Sequence, residues 1–165
     1  MGAGFAGEIN RAHPVSVEPC APSAANPPTA FGQPVVVDPA TQGVRPLGPA
    51  DSALTGIYGI TARPFPFQVA SAVNYGATPI GGAVVPPTSQ PVDVVRSGYI
   101  MVPVVGTTKK GGQVFIWTAA SAAPHVQGGF EGVATAGSTI AIADPQTTFN
   151  GVPDAAGIVE ISFNA

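Results

Sequence analysis

Gly2, Gly4 and Gly7 open the chain, MGAGFAGEIN, in the spacing G-x-G-x-x-G. In a dinucleotide-binding turn the first glycine permits the tight turn. The second lets a pyrophosphate approach the backbone, and the third lets the following helix pack on the sheet. That chemistry needs a buried strand before the turn and a helix after it. Only Met1 precedes Gly2, and EINRAHPVSVEPCAPSAANPP makes a poor helix. Pro14 and Pro19 each remove a backbone donor and clash with a preceding turn. Glu18 lies near the distance of a ribose-binding acid, but no second strand places it. With 21 glycines in 165 residues, a chance match is the simpler explanation. The expectation is a flexible or close-packed arm that holds no cofactor.

Other reactive residues form no constellation. Cys20 is the only cysteine, so neither an intrachain disulfide nor a thiolate zinc cluster is available. His13 and His125 are far apart in sequence, one beside a proline and one in a small-residue loop. Asp38, Asp51, Asp93, Asp144 and Asp154 all neighbour turns or prolines, where Asp serves local hydrogen bonds. There is no G-x-S-x-G, no H-E-x-x-H and no calcium-loop spacing. No catalytic residue and no metal site are expected. The net charge is −3, and six basic residues are too scattered to track phosphates. Lys109 and Lys110 in GTTKKGG do not follow a G-x-x-x-x-G, so they read as a solvated hairpin tip. No nucleic acid partner is expected. A basic start followed by an apolar stretch is absent, and Ala6 occupies the Ser/Thr position of a myristoylation signal. No apolar run reaches the ~18 residues of a membrane helix. The expectation is a soluble chain made in a reducing cytoplasm.

Charged residues are 9% of the chain, against about 25% in an ordinary soluble domain. Two explanations stay open. Either much of the surface is hidden in an assembly, or Ser, Thr, Gln and backbone supply its polarity. Residues 1–29 carry Pro14, Pro19, Pro22, Pro27 and Pro28 with little periodic pattern, and read as an extended arm. Its candidate partner-contact anchors are Phe5, Ile9, Val15 and Val17. Residues 30–165 read as a β body of short strands between glycine and proline turns. FGQPVVVD, LTGIYGIT, QVFIWT, TIAIA and GIVEISF are strand-like, with a weak strand near Ala83–Val85. VDVVR and YIMVPVV flank Ser97-Gly98, which reads as a two-residue hairpin turn. Alternation puts Val102 with Val104, Val114 with Ile116, and Val159 with Ile161 on core faces. QVFIWT is apolar on its other face too, so a second layer, a loop or a partner must cover Phe115 and Trp117. Helical periodicity is nearly absent. The fold class expected is all-β: a small β-barrel or jelly-roll-like sandwich with an extended Pro-rich N-terminal arm.

Taken in order, these strands resemble the capsid cement, or head-decoration, proteins of tailed bacteriophages. The resemblance runs over about residues 30–165. Its parts are FGQPVVV, TGIYGIT, VDVVRSGYIMV, GQVFIW and the closing GIVEISF. What the resemblance implies is a β-barrel or jelly-roll-like body on the outer capsid surface. It implies a dimer or trimer that bridges neighbouring major capsid proteins and carries no catalytic residues. The long Pro-rich start and GGAVVPPTSQP depart from the family pattern. The alternative reading is a β-rich binding module of a phage tail or surface protein that recognises glycans through Tyr75 or Tyr99.

Overall fold

β-Branched residues and the near absence of helix-forming windows leave this chain one way to bury its apolar side chains, in sheet. The computed structural model describes residues 5–11, 14–63 and 85–165. Among the described residues eleven strands follow in chain order: β1 (Ser16–Cys20), β2 (Pro34–Val37), β3 (Val44–Pro46), β4 (Gly59–Thr61), β5 (Val92–Val105), β6 (Gly112–Gln113), β7 (Phe115–Trp117), β8 (Phe130–Glu131), β9 (Thr139–Ala141), β10 (Thr148–Phe149) and β11 (Ile158–Asn164). The fold is predominantly β, a curled sheet with neighbours in the order β3-β2-β4-β5-β11-β10-β6. β1 also pairs with β5, and β8, β7 and β9 branch from the end of β5. The weak strand expected near Ala83–Val85 falls almost entirely outside the described residues, as do His13 and Tyr75.

The predicted hairpin at Ser97-Gly98 is not formed. β5 is one continuous strand of 14 residues. Its first half lies between β1 and β4, with Val94 opposite both Glu18 and Thr61. Its second half pairs with β11, from Ser97↔Asn164 to Pro103↔Ile158. At the join, Ser16 pairs with Ser97 but Val17 with Val95, so Arg96 is the extra residue of a β-bulge. The extra residue flips the alternation. Val95 faces the main core before the bulge, and Ile100, Val102 and Val104 face it after. A hairpin turn and a bulge interrupt a period-two pattern in the same way. Only the pairing partners separate them.

The bulge also bends the strand. Asp93 accepts from Ala62, Arg63 donates to Gly7, and Gly7 donates to Met101. Three paired-strand spacings and one residue step span no more than about 20 Å. Asp93 and Met101, eight residues apart on a straight strand, would stand about 26 Å apart. β5 therefore curls, and the sheet curls with it. Gly98 sits at the curl with φ +133°, and an added Cβ would lie 2.8 Å from Val15 Cγ2.

Val102, Val104, Val114, Ile116, Val159 and Ile161 are all buried in the main core, together with Phe130 and Phe149. A smaller cluster of Cys20, Val35, Val44, Val92 and Val94 fills the other face near β1. The second face of β7 is capped by a loop: His125 stacks on Trp117 with ring centroids 4.2 Å apart and an interplanar angle of 9°. Replacing Gly98 with Val forces a β-branched residue into positive φ and against Val15. It is expected to cost about 2–4 kcal/mol. Urea unfolding of wild type and Gly98→Val measures this as a lower midpoint at unchanged slope.

Candidate functional site

Of the three opening glycines, Gly2 and Gly4 lie outside the described residues. Gly7 is a packing position: its N–H donates to Met101 O, and an added Cβ would stand 2.8 Å from the Phe31 Cβ. No strand–turn–helix unit surrounds it among the described residues. The lone thiol, Cys20, is buried, and burial pushes its pKa up, with the Glu18 charge adding to the effect. It stays a packed thiol. Among the described residues no group of three His, Cys, Asp or Glu could hold a metal ion. A cavity of about 270 Å³ opens beside Phe31, Pro34, Pro103, Val104 and Phe130, and no ionisable side chain among the described residues lines it.

The arm residues are brought together by the body itself. Gly7 donates to Met101 O, and Met101 donates to Glu8 O, on the edge of β5 opposite β11. Asn10 and Arg11 then cross the outward face of β5. The Asn10 side-chain amide donates to Met101 Sδ at 3.3 Å. The Arg11 guanidinium lies 4.6 Å above the Tyr99 ring. Arg11 Nε donates to Glu160 Oε2 at 2.9 Å and its Nη2 to Oε1 at 2.5 Å. Asn150 Nδ2 donates to the same Oε1 at 2.8 Å. The Glu160 side chain is 3% exposed. Its hydrogen bond and charge raise the Arg11 pKa. Tyr99 is thus covered by Arg11 rather than open as a sugar platform.

The four expected arm anchors divide. Ile9 packs against the main core. Phe5 is 64% exposed, with the Arg63 guanidinium 5.6 Å from its ring. Val15 and Val17 are exposed at 37% and 40% on and beside β1. Ala62 donates to Asp93 O, so Asp93 faces β4 and its neighbours Val92 and Val94 face β1. By the same alternation Glu18 and Cys20 bond to β5, while Val17 and Pro19 turn their backbone groups outward. Pro19, which has no N–H, therefore sits where a strand tolerates it.

Sequence reasoning missed the ion pairs. Tyr58 donates to Glu18 at 2.7 Å, and that bond pushes the phenol up to about 12. Arg96 caps the Tyr58 ring at 3.7 Å from its centroid. Arg45 binds both oxygens of Asp51, which also accepts from the Gly48 N–H. The partners lie 38 or more residues apart in the first case, and no spacing signals them. Arg45 and Asp51, six apart, sit across a turn that the sequence marks only by Pro46, Gly48 and Pro49.

Residues 1–164 match the family model described as structural cement protein (E217 gp24/Pam3 gp6). The chain belongs to this phage cement protein family. Its role is accordingly that of a structural cement. A chain from the capsid of Myoviridae phage XM1 has a similar fold, with a TM-score of 0.69 at 21% identity, covering 97% of this chain and 89% of that one. No curated protein matches.

A cement needs a rigid body, and two hydrogen-bonded carboxylates, Asp51 and Asp38, make its stability depend on acid. Hydrogen bonds from Arg45, then from Gly48, hold the Asp51 carboxyl below its ordinary value. Hydrogen bonds from Ser23, Ala40 and Thr41 do the same for Asp38. Both folded values lie below the unfolded value near 3.8. This contribution is complete above about pH 4 and is lost as pH falls through the folded values. Thermal unfolding from pH 7 to 2 is expected to show the melting temperature dropping below pH 4. Arg45→Met is expected to melt lower at pH 7 and to lose less on acidification.

Proposed function

We propose that this cement protein binds the outer surface of an assembled tailed-phage capsid and bridges neighbouring major capsid protein subunits. The family match over residues 1–164 carries the reading. The likeness to a chain from a phage capsid supports it. Binding assembled shell more tightly than free subunits shifts the equilibrium toward the shell by mass action. Many weak copies on a symmetric lattice then act together.

The adhesive element in this reading is the arm with β1. Phe5, Val15 and Val17 are its exposed apolar contacts, and Ile9 serves the core. The outward edge of β1 offers the carbonyls of Val17 and Pro19 and the N–H of Val17. A short extended segment of a capsid protein fits such an edge by strand addition. The curled sheet serves as a small barrel-like body, and the protein acts on the shell as a dimer or trimer. A surface with 9% charged residues suits this, since few ions must be desolvated on contact.

Co-sedimentation of the full chain with capsids lacking it is the test. Saturable binding at a fixed ratio to the major capsid protein is expected. Phe5→Ser combined with Val17→Lys is expected to weaken binding at least tenfold, with the melting temperature nearly unchanged, because both side chains are exposed. Absence of binding by the wild-type chain overturns the reading.

A further inference from the structure

We infer that Arg11 and Glu160 are positioning residues: their ion pair clasps residues 5–11 across β5 and so presents the arm to its partner already ordered. The inference rests on the capsid-binding reading above and deepens it. Neither residue need touch the capsid.

The geometry points to a clasp because the pair ties the end of this segment to β11, while the Met101 bonds, the Arg63 N–H on Gly7 O and the packing of Ile9 hold its earlier residues. Gly7 and Glu8 make two backbone bonds to Met101, on one edge of β5. Glu160 belongs to β11, on the other edge, directly opposite Met101. Arg11 reaches it over Tyr99, across the whole width of the strand. The bidentate fork fixes both distance and orientation, which a lysine could not do. Glu160 shares the outward face with Met101 and is buried where Arg11 and Asn150 bond to it and Asn10 covers the adjacent Met101. Arm closure and burial of this carboxylate are therefore one event. With the arm open, Glu160 meets water and Arg11 loses its partner. With the arm closed, each satisfies the other.

The consequence is for affinity. Ordering one backbone residue costs about as much as a tenfold change in binding constant. An arm ordered beforehand by its own body spares the capsid contact that cost. Phe5 then stands at a fixed place relative to Val15 and Val17 before any partner arrives.

Two measurements test this on the full chain. The first is amide hydrogen exchange at Gly7 and Met101 in the free protein. Arg11→Gln is expected to speed exchange at both amides at least tenfold, with exchange in the β5–β11 core pairs unchanged. The double variant Arg11→Gln/Glu160→Gln leaves no stranded carboxylate and is expected to behave alike, which separates clasp loss from misfolding. Arg11→Lys is expected to restore only part of the protection. Unchanged protection in the double variant overturns the clasp. The second is capsid titration of the same proteins. About tenfold weaker binding at the same saturating ratio is expected. Lost protection with unchanged affinity overturns the positioning role, provided Phe5→Ser/Val17→Lys does weaken binding. If that surface variant also binds like wild type, the arm is not the contact, and the failure lies with the functional reading.

Discussion

The curl of β5 at Arg96–Gly98 is the constraint on which the remaining architecture depends. One strand of 14 residues borders two apolar clusters and pairs with four other strands. A straight strand could not do this, because its side chains would keep one phase and its edges one direction. The bulge resets the phase, so Val94 fills the small cluster and Val95 the large one before it, while Ile100 resumes the large one after it. The bend then brings Asp93 and Met101 close enough to share neighbours in residues 62–63 and Gly7. β1 depends on the same point, because Val15 rests where any side chain on Gly98 would have to go.

The scarcity of charge has a structural use. Six Lys and Arg residues serve 165 positions. Arg11, Arg45 and Arg96 each join segments with no sheet contact at that point: arm to β11, β3 to the Pro49–Asp51 turn, and β5 to the Tyr58 loop. His125 makes a similar tie to Glu131 at 2.9 Å while covering Trp117. Lys109 and Lys110 are exposed in the turn before β6. Charge is thus placed where short strands cannot reach, and much of the outer surface is left neutral. A neutral surface with a few exposed valines costs little to desolvate, which suits a protein that must adhere along a lattice.

What the sequence made legible follows from repetition. Runs rich in β-branched residues announced β2, the two halves of β5, and β11, and in β5 and β11 alternation over five or more residues has few other causes. β8 and β10 are two residues each and carry no period at all. Pro-rich flanks hid β1, where Pro19 is tolerated only because its missing N–H lies on the outward edge. LTGIYGIT contributes only its last three residues as β4, since Tyr58 turns aside to meet Glu18 and Arg96. The arm anchors were legible as apolar residues, but not their orientation. Ile9 faces inward and Phe5 outward within one short segment, a choice fixed by the bonds of Gly7 and Glu8 to Met101.

An extended Pro-rich segment invites the view that it stays loose until a partner orders it. The hydrogen bonds of residues 7–11 argue for a different balance. Residues 5–11 hold no proline and one glycine, so ordering them costs full backbone entropy that their contacts with the body must offset. Three backbone bonds to Met101 and Arg63, the packing of Ile9 and a bidentate pair with the buried Glu160 hold it. Such an arm gives up the reach of a disordered tail and gains a fixed geometry. On a regular lattice that exchange is favourable, because the binding sites recur at fixed positions and a rigid contact need not search for them. Avidity across many copies rewards each small gain in preorganisation once per copy.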